Sequence, residues 1–383
     1  MDPVALENPP PTREIAERSR LVAEKAAVYA GDVDRRARFP GEAVAALRES
    51  GLLVAVAPHA LGGGGLGPRA LLSVAAALAR GCASSAMVWA MHQAQLACLV
   101  RHGCDADLLR TAVAEQWLIA SVTSEKDVGG ELRTSRAALD GPAGGERHLT
   151  KEATAISYGA QADAFLLTCR TGAEAAEGDQ AAAVVTRGQV HLTPTGSWDT
   201  LGMRGTCSPP FTVRAEFPAR QILPVPFQEI AAATLVPLTH LLWAGVWTGL
   251  ADEALHRARM CVRRRARSGQ AAPPELALIQ ARAAGLRAHA AAAADSVAAV
   301  LRGDRAPGPG LAVELNALKL AVSDGVVDVV GQALRVCGMA GFAEDAPTSV
   351  ARLLRDAHSA PLMISNSRLA GTNAQLLLLA KGE

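Results

Sequence analysis

Ser121-Val122-Thr123-Ser124-Glu125-Lys126-Asp127-Val128-Gly129-Gly130-Glu131 follows Trp117-Leu118-Ile119-Ala120, an alternating apolar segment that reads as a strand. The two glycines near its end let the backbone come close to a bulky ligand, because glycine carries no Cβ. Small hydroxyl residues, a carboxylate and a Gly-Gly turn at a strand end suit a flat, polar, phosphate-bearing cofactor. Most Gly-Gly turns after a strand are only turns, so the rest of the chain has to decide what this stretch does.

At 383 residues and 50% hydrophobic content, the chain can bury a large core divided into two or three subdomains. The net charge is +1, from 38 basic and 37 acidic residues. The basic run Arg263-Arg264-Arg265 is too short to line a nucleic-acid groove, so a small-molecule substrate is expected and nucleic acid is not. Seven cysteines are scattered singly, with no CxxC or His-pair spacing, which argues against a disulfide framework and against a bound metal. A reducing cytoplasm is the expected compartment. Met1 to Thr12 lacks the basic-then-apolar pattern of a signal peptide. The apolar stretch Ala231 to Ala251 is long enough to span a bilayer, but it contains Pro237, Thr239 and His240 and runs into a charged helix. A buried core helix is expected there, and no membrane partner.

Working outward, residues 13 to 30 read as a helix capped by Thr12 and ended by Gly31, and a second helix runs from Pro40 to Gly51. Pro58 to Gly67 is too glycine-rich for regular structure, and helical periodicity resumes over 70 to 80 and 85 to 103. From Trp117 to about Pro224, alternating residues with turns at Asp140-Gly141-Pro142, Gly144-Gly145 and Thr171-Gly172 predict antiparallel strands. After Pro226 four long helices are expected, over about 228 to 268, 274 to 302, 311 to 337 and 365 to 380. The expected fold is α+β: an N-terminal helical domain (1–115), a central antiparallel, barrel-like β domain (116–225) and a C-terminal four-helix bundle (226–383).

Seven segments, in order along nearly the whole chain, resemble the acyl-CoA dehydrogenase superfamily. They are the Pro58 to Gly67 loop; Ser124-Glu125 with Gly129-Gly130, similar to Thr-Glu-x-x-x-Gly-Ser-Asp; Ile156-Ser157, similar to Trp-Ile-Thr; Leu201 to Thr206; Arg265 to Gly269, similar to Arg-x-x-Phe-Gly; Arg335 to Phe342, similar to Gln-x-x-Gly-Gly-x-Gly-Phe; and Arg355-Asp356-Ala357. The resemblance implies FAD between the β domain and the bundle, in a homotetramer whose adjoining subunit completes the adenine end. By position it implies that Val122, Ser124 and Ser157 face the isoalloxazine and its N5. It places Gly129 and Gly130 by the pyrophosphate, Arg265 on the pyrophosphate of a neighbouring subunit, and Arg335 and Gly338 among the further cofactor contacts.

The chain departs from the family where its chemistry sits. The family's proton-abstracting glutamate, a few residues after Arg-Asp-Ala, aligns without gaps on Ile364, and the alternative place on the first long bundle helix falls near Thr239-His240. Neither is a carboxylate. Arg335 for glutamine, Ala155 for tryptophan, Met339 for glycine and Gly130 for serine are further departures. The leading expectation is α,β-oxidation of an acyl thioester, on CoA or a carrier protein, with hydride passed to flavin N5 and electrons to an acceptor flavoprotein. His240, His358, Asp356 or His92 would be the base. The alternatives are a monooxygenase of the same fold, fed reduced flavin by a partner reductase, and a non-catalytic relative.

Overall fold

The computed structural model describes residues 8–128 and 131–379, so Gly129 and Gly130 lie outside the described residues. The chain begins with α1 (Arg13–Arg36), α2 (Gly41–Glu49), α3 (Pro68–Gly81), α4 (Ala83–His102) and α5 (Ala106–Ala114). Thr12 caps α1 by accepting from the Ile15 N–H at 3.3 Å, with Glu14 in the first turn, as the sequence predicts. Gly31 does not end this helix. It lies inside α1, because Val33 and Asp34 beyond it are buried, and that packing outweighs the roughly 1 kcal/mol by which an interior glycine disfavours a helix. The connection between α2 and α3 also holds two 3₁₀ turns, Leu52–Val54 and His59–Leu61, the second inside the glycine-rich loop.

The middle of the chain supplies β1 (Ile119–Val122), β2 (Glu146–Ala153), β3 (Ala164–Arg170), β4 (Gln180–Thr186), β5 (Val190–Pro194) and β6 (Phe211–Pro218). They form two three-stranded sheets, β1-β3-β4 and β2-β6-β5. The expectation of antiparallel strands holds for every pair but β1–β3, which is parallel, with Val122 opposite Leu167. A parallel pair needs a long crossover, and the chain between β1 and β3 provides one. Strand β2 alternates exposed and buried residues, which sends Arg147, Leu149, Lys151 and Ala153 inward.

The rest is helical: α6 (Phe227–Ile230), a π-helical turn at Ala231–Leu235, α7 (Val236–Ala266), α8 (Glu275–Arg302), α9 (Pro309–Cys337), α10 (Met339–Phe342), α11 (Ala351–Ala357) and α12 (Asn366–Leu379). The wide turn precedes Pro237, whose missing N–H and ring cannot fit an α-helical repeat. Helix α7 is the axis of the molecule, packed against α3, α4, α8 and α9. A Cβ on Gly249 would lie 2.1 Å from the Ala76 carbonyl oxygen, so α3 and α7 meet at a distance only glycine permits. The apolar segment of this helix is 78% buried, as expected for a core helix.

Candidate functional site

Strand β1 is fastened from behind by α4. The Ile119 N–H donates to His92 Nδ1 at 3.0 Å and His92 Nε2–H donates to the Leu53 carbonyl at 2.7 Å, which sets the tautomer. Burial pushes the His92 imidazole down to about 4, so it is neutral and serves as a brace between α4, β1 and the Leu52–Val54 turn.

Beyond Val122 the strand ends in two residues that look functional and are both engaged. Ser124 Oγ donates to the Ala155 carbonyl at 2.8 Å and accepts from the Ala155 N–H at 3.2 Å, pinning the segment that carries Ser157. The Glu125 carboxylate turns inward and accepts from Ser135 Oγ at 2.7 Å and from the Ala137 N–H at 2.7 Å. Lys151 Nζ, fully buried, stands 3.7 Å from it and donates to the Thr168 carbonyl at 2.7 Å. Burial lowers the Lys151 pKa while the Glu125 charge opposes that shift.

Ser157 lies between Ile156 and Tyr158, both fully buried. Tyr158, at φ +45°, donates its hydroxyl to the Ile119 carbonyl at 3.0 Å and its N–H to the Thr206 carbonyl at 2.8 Å. The half-buried Ser157 hydroxyl is 2.8 Å from Ser208 Oγ, which is 2.9 Å from Thr206 Oγ1, which in turn is 2.9 Å from the Met203 carbonyl. Ser208 and Thr206 are buried. The result is a line of three hydroxyls with a closed inner end and an open outer one.

The same loop is held from the C-terminal side. A Cβ on Gly202 would fall 2.2 Å from the Arg355 carbonyl oxygen, so only glycine fits. Met203, at φ +52°, donates its N–H to Asp356 Oδ1 at 2.6 Å. Arg204 Nε donates to the Asp34 carbonyl at 2.8 Å, and Arg355 pairs with Asp34 and Glu344. Asp356 is therefore a latch on this loop, and burial pushes its carboxyl up to about 6.

Within the bundle, His240 is buried and donates from Nδ1 to the Leu315 carbonyl at 3.2 Å, and burial pushes it down to about 4. It ties α7 to α9. Lys319, also fully buried, donates from Nζ to the Ile364 carbonyl and to Asn366 Oδ1, both at 2.6 Å, and lies 5.8 Å from the Trp247 ring centre. Burial lowers it to about 8. Ile364 has φ +53°, which is costly for a β-branched residue and is sustained by these hydrogen bonds. Ile364 and Met363 pack against the core, whereas His358 is exposed after α11.

At the far end of the bundle, Arg265 donates to the Val336 carbonyl at 2.7 Å and to the Cys337 carbonyl at 2.6 Å. It satisfies the C-terminal carbonyls of α9, just before Gly338 at φ +61°. Arg335 is exposed on the same turn.

The residues named from sequence thus fall into separate groups: Val122, Ser124 and Ser157 around the end of β1; Asp356 on the Met203 loop; His240 inside the bundle; His358 at the surface; Arg265, Arg335 and Gly338 at the end of α9. Sequence reasoning missed Thr206, Ser208 and Lys319. Lys319 carried a usable signal, a lone cation on the apolar stripe Leu315, Leu318, Val322.

Comparison with known proteins places this geometry in a family. Residues 12–110 match the acyl-CoA dehydrogenase N-terminal domain and residues 232–364 the acyl-CoA dehydrogenase C-terminal domain. The amino sugar nitrososynthase DnmZ of Streptomyces peucetius is 30% identical over 352 residues, spanning 87% of this chain and 84% of that protein. A probable acyl-CoA dehydrogenase of Mycobacterium leprae, fadE25, is 27% identical over 354 residues, spanning 90% and 89%. The structure of TdsC from a Paenibacillus species, with FMN bound, superposes with a TM-score of 0.83 at 21% identity, covering 97% of this chain and 98% of that one. Two family domains in order, and a relative 30% identical along most of both chains, establish that this protein belongs to the acyl-CoA dehydrogenase superfamily.

Proposed function

We propose that the protein is a flavin-dependent monooxygenase that oxygenates the amine of a small polar substrate such as an amino sugar. The observation that carries this reading is the side chain at 364. Dehydrogenation next to a thioester needs a proton acceptor within reach, and Ile364 has none. The other family position offers only His240, whose ring is buried, neutral and donating to the Leu315 carbonyl. Oxygenation of an amine needs no such base at the α-carbon. DnmZ, named as an amino sugar nitrososynthase, supports the substrate class, and TdsC, described as a dibenzothiophene monooxygenase, supports the reaction type.

The residues around β1 fit a flavin. The open hydroxyl of Ser157, fixed by the Ser124–Ala155 hydrogen bonds, suits the polar edge of an isoalloxazine. The pyrophosphate role of Arg265 is harder to fill, because both of its terminal nitrogens are engaged by α9 carbonyls. We therefore favour FMN, as in the TdsC complex, over FAD. When bound, reduced flavin supplies the two electrons by which dioxygen places one atom on the amine nitrogen and releases the other as water. Ser157 would hold the flavin edge, while Ile364 and Met363 would present an apolar wall that removes no proton. A partner reductase would supply the reduced flavin. Acyl-thioester dehydrogenation stays as the second reading, favoured by the likeness to fadE25.

The test mixes purified protein and chemically reduced FMN with air and a panel of amino sugars, and looks by mass spectrometry for products heavier by one oxygen. Oxygenated amine that depends on the protein supports the reading. Absence of such product with every amine, together with turnover of acyl thioesters, would overturn it.

A further inference from the structure

Behind Ile364 stands a charge for which the proposed reaction has no use so far. Lys319 of α9 is fully buried, and its ammonium donates to the Ile364 carbonyl and to Asn366 Oδ1, both at 2.6 Å. The carboxylate that acts on it, Asp324, is exposed and is held at 2.7 Å by Asn366 Nδ2 rather than by the ammonium. Arg368 of α12 adds a like charge, and His240 of α7 is neutral. Burial lowers Lys319 only to about 8, so it is charged at neutral pH.

The same corner is rich in donors. The Lys319 ammonium lies 5.8 Å from the Trp247 ring centre, and the Trp243 ring lies 6.0 Å from that of Trp247. Among the described residues, neither indole N–H finds an acceptor, although both are buried. An ammonium carries three protons, and the two hydrogen bonds above use two of them. Positive charge and unfilled donors therefore stand together beside the wall at 364, a setting that favours a lone pair and disfavours a second cation.

An amine meets that setting in one of two forms. Protonated, it is a cation whose nitrogen has no lone pair to offer to oxygen; neutral, it is a nucleophile. We propose that Lys319 is a specificity-determining residue whose charge admits the substrate amine to the Ile364 wall only in its neutral form. This rests on the amine-oxygenating reading above and on the amine lying beside Ile364. The extra proton leaves to bulk water as the amine enters, and Lys319 takes none because it is already protonated. The nitrogen lone pair then forms the N–O bond of a hydroxylamine with one atom of dioxygen. The other atom leaves as water, the two electrons and two protons coming from reduced flavin. Repulsion thus does the work of a base, which neither Ile364 nor His240 can do. A like charge at this range lowers an amine's proton affinity by about one unit, or about tenfold.

The experiment compares an amino sugar with its own hydroxylamine, whose far less basic nitrogen is already unprotonated at neutral pH. Both are given, with chemically reduced FMN and air, to the wild type, to Lys319→Met, whose unbranched chain fills the same space, and to Lys319→Arg. Turnover is read by mass spectrometry. Lys319→Met should lower amine turnover about tenfold relative to hydroxylamine turnover, and Lys319→Arg, which keeps the charge, should restore the ratio. A second measurement needs no variant: the wild-type single-turnover rate for bound amine should rise through a pKa about one unit below that of the free amine. An unchanged ratio in Lys319→Met, or a pKa at or above that of the free amine, overturns the proposal, because a residue that only props the Ile364 turn slows both substrates alike. If neither substrate is oxygenated by the wild type, the amine-oxygenating reading fails, and this inference with it.

Discussion

Replacing Asp356 by asparagine removes a charge while keeping the oxygen that accepts the Met203 N–H. Asp356 is 3% exposed, and burial raises its carboxyl from 3.8 to about 6, against the lowering effect of the Met203 hydrogen bond. The groups facing it are Arg352 and Arg355, which favour its charge, and Asp34, which opposes it. An acid whose folded pKa lies above its unfolded one favours the fold when protonated. Its contribution is fully present below about pH 4 and is lost as the pH rises through about 6. A shift of roughly two units at about 1.36 kcal/mol each sets the loss at no more than about 3 kcal/mol. Asparagine does not titrate, so the difference in unfolding free energy between Asp356→Asn and wild type should move in the variant's favour by up to that amount across the window. Denaturant unfolding followed by circular dichroism at a series of pH values between about 4 and 7 measures it. A difference that stays constant with pH, or moves the other way, would refute the account of Asp356 as a desolvated latch.

Other outcomes follow from the same contacts. Ser124→Ala should cost about 1–2 kcal/mol of stability in denaturant unfolding, since it frees both the N–H and the carbonyl of Ala155, and it should weaken flavin binding measured by fluorescence. Gly202→Ala drives a Cβ to 2.2 Å from the Arg355 carbonyl and should cost about 1–3 kcal/mol or more, read as a lower melting temperature. Met339, Phe342 and Leu362 are 75%, 65% and 78% exposed, large apolar side chains of the kind that a second subunit would cover. Light scattering should therefore report a dimer or tetramer, and a monomer at micromolar concentration would contradict that.

Much of the fold is written in local pattern. Thr12, Pro40 and Gly51 mark helix ends because capping is a short-range effect, and the apolar face around His240 is legible as core from its helical spacing. Ser124 hydrogen-bonds to Ala155, two residues before Ser157, a contact between distant segments that no local pattern specifies. What the motifs do not reveal is which polar groups are already spent. Glu125 reads as a ligand until the fold brings Ser135, Ala137 and Lys151 around it, and Arg265 reads as a free cation until α9 delivers two carbonyls. The Ser157–Ser208 contact joins residues from different loops, so no periodicity announces it. The parallel β1–β3 pairing is hidden for a related reason: strand texture specifies which face is buried, not which neighbour lies alongside.

Ile364 stands where an acyl-CoA dehydrogenase keeps its proton-abstracting glutamate. Anaerobic stopped-flow mixing of the oxidised, flavin-loaded protein with a panel of acyl thioesters, following the flavin absorbance, with Ile364→Glu run in parallel, tests what that replacement does. The wild-type flavin should stay oxidised with every thioester, and any bleaching should occur only where glutamate has been restored. Rapid bleaching of the wild type by one thioester, with a normal pH profile, would contradict it.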